Sequence, residues 1–150
     1  MNNNYRTRTD FIVVHSTKTK PSENLNAKDI TLKHAKEGYF YNAFHFIIKR
    51  DGTIEEGRDI KMSGAILPIN QPLITNQNSI AIGLIGGLSE DGANLDTNFT
   101  IEQYASLREL VKRLKKKYRV EVVGCRNAIN SIKSCMSFDV QAIVDWDASS

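Results

Sequence analysis

At 150 residues, with 41% apolar and 25% charged side chains, the chain can bury one sizeable core, so a single domain is the default. No apolar run approaches the roughly 20 residues of a membrane helix, and the N-terminal MNNNYRTRTD has no signal-type hydrophobic stretch, which excludes a membrane role and predicts a cytoplasmic protein. Twenty Lys and Arg against seventeen Asp and Glu leave a formal charge of +3, too small to argue for nucleic acid.

Residues 1 to 9 are polar and read as a flexible N-terminus ahead of a domain over 10–150. DFIVVH reads as a buried strand ending in His15, followed by the polar loop STKTKPSEN. Asn26 can cap a helix over 27 to 37, with Asp29 in its first turn and Gly38 closing it. AFHFIIK and TIEEG flank an Asp-Gly turn and form a hairpin. The stretch from 61 to 78 is punctuated by Gly, Pro and Asn and is too long for a tight connection, which marks it as a candidate functional loop. SIAIGLIGG is a strand running into a Gly pair.

Thr100 and Gln103 make a capping box, and Ile101, Tyr104, Leu107, Leu110, Val111, Leu114 and Tyr118 fall at helical spacing on one face. The basic end of that helix, Lys112 to Arg119, suits a helix C-terminus facing water better than a phosphate-binding patch. VEVVG is a further strand, and Ser137 can cap a last helix through Trp146. The order β-α-β-β-loop-β-α-β-α predicts an α/β domain with a central mixed sheet flanked by helices.

Few polar groups suit chemistry: His15 at a strand end, His45 inside a strand, His34 on a helix, and Lys133 with Cys135. Strand ends opening into loops are where α/β domains place ligands, so His15 and the 124 to 137 segment come first. In a reducing compartment Cys125 and Cys135 read as free thiols or metal ligands rather than a disulfide. A lone histidine or cysteine is usually structural, and a metal site needs three or four ligands where only two obvious ones converge.

FIVVHSTKTKPS, HFIIKRDGTIEEGRD, NSIAIGLIGG, NFTIEQYASLRELV and KSCMSFD, in order over roughly residues 8 to 146, resemble the phage lysozyme branch of the zinc-dependent N-acetylmuramoyl-L-alanine amidases. These are relatives of the peptidoglycan recognition proteins. The resemblance implies a zinc held by a strand-end histidine, a second histidine, and a Cys or Asp eight residues after it. His15 matches the first position and Cys135 the third, while Asn127 stands where the second histidine would be. The position of the family's catalytic tyrosine is Phe44, before His45, and the lysine two residues before the Cys ligand is retained as Lys133. A further histidine expected after GRD is absent from the longer loop MSGAILPIN.

An Asn amide is a poor substitute for imidazole on zinc, and losing a phenolic donor at an oxyanion typically costs on the order of 10²- to 10³-fold in rate. The expectation is therefore an amidase-fold pseudoenzyme with weak or no zinc, binding without efficient hydrolysis and acting by sequestering or sensing. Its pocket would be bounded by His15, Phe44, His45, Asn127, Lys133 and the 61 to 78 loop, with Asn70, Asn76 and Asn78 offering amides to a muropeptide or another anionic small molecule. His45 reads as a histidine hydrogen-bonded within the site wall, and His34 as facing solvent. A protein partner is a second version of this reading, supported by the basic helix end. The alternative is an active amidase with a rebuilt zinc site in which Cys125, two positions before Asn127, joins His15 and Cys135. Nucleic acid ranks last as a partner, for want of an aromatic-basic platform.

Overall fold

A computed structural model describes residues 5–38, 42–67, 73–124 and 140–145. The elements are β1 (Phe11–Ser16), α1 (Ala27–Lys36), β2 (Phe46–Ile48), β3 (Ile54–Glu56), β4 (Ser79–Leu84), α2 (Ile101–Lys117), β5 (Glu121–Gly124) and α3 (Val140–Asp145). The five strands form one sheet in the order β3-β2-β4-β1-β5, parallel except for the β2–β3 hairpin. The mixed sheet and the element order expected from sequence are both present. Ser137 and Trp146, expected to bound the last helix, lie outside the described residues.

Local signals explain each element. Asn26 caps α1 in a reciprocal box with Asp29, and Gly38 ends the segment with φ of 100°. The hairpin loop is the three residues Arg50, Asp51 and Gly52, closed by Lys49 N–H donating to Thr53 O at 2.8 Å, with Gly52 at φ 91° in the left-handed position. Thr100 and Gln103 cap α2 as the spacing predicts.

Strand alternation sorts the core into two faces. Ile12 and Val14 of β1 pack with Leu107, Leu110, Val111 and Leu114 of α2 and Val140 and Val144 of α3. On the opposite face Val13 packs with Leu67 and Ile74 of the long loop, and Ile30 of α1 packs with Phe44, Ile47, Ala81 and Ile85. Helices α2 and α3 thus cover one side of the sheet, while α1 and the described parts of the 61 to 78 loop cover the other.

Ile101 corrects the helical stripe read from sequence: it is 80% exposed. It precedes Leu107 by six residues, which at about 100° per residue rotates it roughly a third of a turn off the buried line. The buried residue in that first turn is Gln103, whose Nε2 donates to Ile48 O at 3.0 Å and Ile85 O at 2.8 Å, tying α2 to the ends of β2 and β4. Gln103→Leu should therefore destabilise the fold by about 2 kcal/mol, because two buried carbonyls lose their donor; urea denaturation would measure this as a lower midpoint at unchanged slope.

Residues 5 to 9, placed by sequence in a flexible N-terminus, are attached along the long loop. Tyr5 pairs with Met62, Arg6 N–H donates to Lys61 O at 2.8 Å, and the Arg6 guanidinium donates to Ile60 O and Thr9 Oγ1.

Candidate functional site

His15 lies near the C-terminal end of β1, level with Gly83 of β4, and points to the face covered by α1 and the long loop. It is 3% exposed, and its Nε2 is buried with no hydrogen-bond partner among the described residues. Burial, helped by the nearby Lys18 charge, pushes the imidazole pKa down to about 3, so the ring is neutral at physiological pH. An unpaired, neutral imidazole nitrogen at a strand end fits a zinc ligand. Strand β5 ends at Gly124, in register with Val14 of β1. Cys125, Asn127, Lys133, Cys135 and Asn70 all lie outside the described residues. Among the described ones, no three His, Cys, Asp or Glu residues converge.

Phe44 is brought to His15 by the path of residues 42 to 45. The rings of His15 and Phe44 are tilted, with centroids 5.5 Å apart, and Phe44 is 2% exposed. The ring rests on Gly83: a Cβ there would lie 2.7 Å from Phe44 Cδ2 and 2.9 Å from Cε2. Glycine inside an otherwise aliphatic strand is the sequence signal for such a close approach, and the sequence reading passed over it.

His34 corrects an expectation, since it does not face solvent. It is 6% exposed, its Nδ1 accepts the Ala43 N–H at 2.8 Å, and its ring lies 5.3 Å from that of Phe44. Asn42 completes the cradle, accepting the Phe44 N–H on Oδ1 at 3.0 Å and donating from Nδ2 to Ala27 O at 3.1 Å. Arg58 donates to Asn42 O and Ser63 O. These side chains pair the Ala43 and Phe44 N–H groups and the Asn42 carbonyl, which no neighbouring strand reaches.

His45 is hydrogen-bonded on its backbone and on both ring nitrogens. Its N–H donates to Ala81 O at 2.9 Å, Nδ1 accepts the Ala81 N–H at 2.9 Å, and Nε2–H donates to Met62 O at 2.7 Å. Both ring nitrogens are occupied, so His45 has none to offer a ligand. The long loop then folds over Val13. Asn76 clamps it by accepting from Leu67 N at 3.1 Å and donating to Leu67 O at 2.9 Å. Asn78 accepts from Thr75 N and donates to Leu73 O. This corrects the amide-rich ligand wall: Asn76 and Asn78 spend these groups on the loop's own backbone.

Desolvation also lowers the His45 pKa, to about 4, against the Met62 hydrogen bond that raises it. The unfolded chain takes up a proton near pH 6.5 while the folded one stays neutral until about pH 4. Stability is therefore full above pH 6.5 and declines as pH falls toward 4, with His45 alone costing about 2 kcal/mol by pH 5. Thermal melts between pH 7.5 and 5 should show this fall.

The basic residues Lys112, Arg113, Lys115, Lys116 and Lys117 on α2 are exposed, on the side of the sheet away from His15. No helix among the described residues is long and apolar enough to cross a membrane.

Comparison with known proteins adds the family. The family described as N-acetylmuramoyl-L-alanine amidase matches residues 5–136. The chain is 40% identical over 136 residues to an endolysin of Escherichia phage T7, covering 91% of this chain and 85% of that protein. An endolysin of Enterobacteria phage T3 is 39% identical over the same length. Among solved structures, the N-acetylmuramoyl-L-alanine amidase LysC from Clostridium intestinale URNW superposes with a TM-score of 0.72 at 23% identity, covering 95% of this chain and 91% of that one. Bumblebee PGRP-SA gives 0.67 at 23% identity, covering 86% and 77%. Both show the shared fold.

These relatives correct the expectation of a pseudoenzyme that sequesters or senses. Proteins called endolysins match over nine-tenths of the chain, and the family match runs through Lys133 and Cys135, which favours the amidase alternative.

Proposed function

The chain belongs to the N-acetylmuramoyl-L-alanine amidase family, and on that premise we propose that it hydrolyses the amide bond between N-acetylmuramic acid and L-alanine in peptidoglycan. The observation that carries the reading is the buried, neutral and unpaired Nε2 of His15 beside Phe44, in a chain so similar to endolysins.

His15 and Cys135 would hold zinc, with Cys125 as the third ligand in place of Asn127. Zinc, when bound, supplies a Lewis acid and brings the pKa of its water down to about 7. His15 contributes a lone pair that is not lost to protonation at neutral pH. The Phe44 ring, wedged between His15, His34 and Gly83, closes one side of the site to solvent and supplies no proton. Lys133, two residues before Cys135, would stabilise the negative charge that develops on the lactyl carbonyl oxygen as water adds. The carbon–nitrogen bond then breaks, leaving a lactyl carboxylate and the free amine of L-alanine.

The test is product analysis of purified peptidoglycan after digestion. New alanine amino termini without new reducing sugar ends are expected; intact amide bonds after exhaustive incubation would overturn the reading.

A further inference from the structure

We propose that Lys18 is a specificity-determining residue of this amidase, its ammonium receiving a carboxylate of the stem peptide at the rim of the His15 site. The inference rests on the amidase reading and deepens it.

Three residues beyond His15, the chain is clamped on both sides of Lys18. Thr17 N–H donates to Leu84 O at 2.9 Å and Thr19 N–H to Gly86 O at 3.1 Å. The Gly86 N–H is shared by Thr17 Oγ1 and Thr19 Oγ1, each at 3.0 Å, and those hydroxyls bond each other at 2.8 Å. Thr19 is 1% exposed, and it bridges to Gly87. Both threonines are thus fixed on the Gly pair after β4, and Lys18 between them is exposed.

Lys18 carries φ of 57°, the sole left-handed backbone among the described residues other than glycine. Gly or Asn would take that conformation at lower cost, so a lysine there is a departure from local preference. Departures of this kind, held by surrounding bonds, concentrate at ligand-handling positions.

Electrostatics agree with the placement. The Lys18 charge is felt at His15, partial burial lowers the Lys18 pKa, and Glu37 at the end of α1 acts to raise it. The Lys18 charge thus acts on His15 and is itself acted on by Glu37. It forms no ion pair with any described residue.

The chemistry of the substrate selects the ligand. On one side of the scissile bond the muramoyl sugar is uncharged; on the other, the peptide that begins with L-alanine carries free carboxylates. A cation three residues from His15 is suited to the peptide side, where an exposed ion pair contributes up to about 5-fold in affinity.

The experiment compares N-acetylmuramoyl-L-alanyl-D-glutamate with the same compound having both carboxyls amidated. Hydrolysis and calorimetric binding are measured for the native chain, Lys18→Gly, Lys18→Arg and, as a bulk-charge control, Lys116→Gln on α2. The native chain should bind the acid about 5-fold better than the amide, through KM with kcat unchanged. Lys18→Gly should erase the preference without loss of thermal stability, since glycine accepts the left-handed conformation, and Lys18→Arg should restore it. An equal preference in the native chain and Lys18→Gly, or an equal loss in Lys116→Gln, would overturn the proposal. If the native chain cleaves neither compound the amidase reading falls, and the binding preference still decides the role of Lys18.

Discussion

Gly83→Ala should lower the melting temperature by roughly 3 to 10 °C and reduce hydrolysis on the order of 10-fold, although the change adds one methyl group. Gly83 has no positive φ that alanine would strain; the penalty is steric. The added Cβ would sit 2.7 to 3.0 Å from three ring atoms of Phe44. That ring cannot swing away cheaply, for it is 2% exposed and held between the rings of His15 and His34. Overpacking of this kind typically costs 1–3 kcal/mol, and for a chain of about 150 residues each kcal/mol moves the melting temperature by about 2–4 °C. The displaced ring presses on His15, which is why activity falls together with stability. Scanning calorimetry with a peptidoglycan assay on the same sample measures both, and an unchanged melting temperature would mean that Phe44 has another seat.

His15→Ala should have the opposite profile, with hydrolysis reduced by at least about 10³-fold and a smaller change in melting temperature than for Gly83→Ala. The variant removes the unpaired Nε2, a nitrogen whose burial contributes no hydrogen bond within the described residues. Deleting an unsatisfied buried polar group recovers part of what the new cavity costs. A large loss of stability with residual activity would show that His15 is a packing residue.

Much of the fold was legible because short-range signals agreed with long-range ones. Asn26 with Asp29, Thr100 with Gln103, and Asp51-Gly52 each specify local geometry, and the alternation in FIVVH places His15 on a known side of its strand. What the sequence hid depended on contacts between distant segments. Nothing in KHAKEG announces that His34 accepts the N–H of Ala43, nine residues on, or that Asn76 and Asn78 spend their amides on the loop. Ile101 misled because spacing was counted without phase, and Gln103 was read as a cap alone although its side chain also joins α2 to the sheet. At the site, the family resemblance put His15 and Phe44 among the residues of one pocket, and their ring centroids lie 5.5 Å apart. The function was misread because each substitution was assigned its full chemical cost at its own position. Cys125 was considered as a replacement ligand, but the summed costs were set above it.

The most direct test of a hydrolytic site built on His15 is zinc content and amide cleavage measured on one sample purified without chelator. About one zinc per chain with cleavage, both lost in His15→Ala, is the predicted result. A chain that takes up zinc to that level and still releases no alanine amino termini would contradict it.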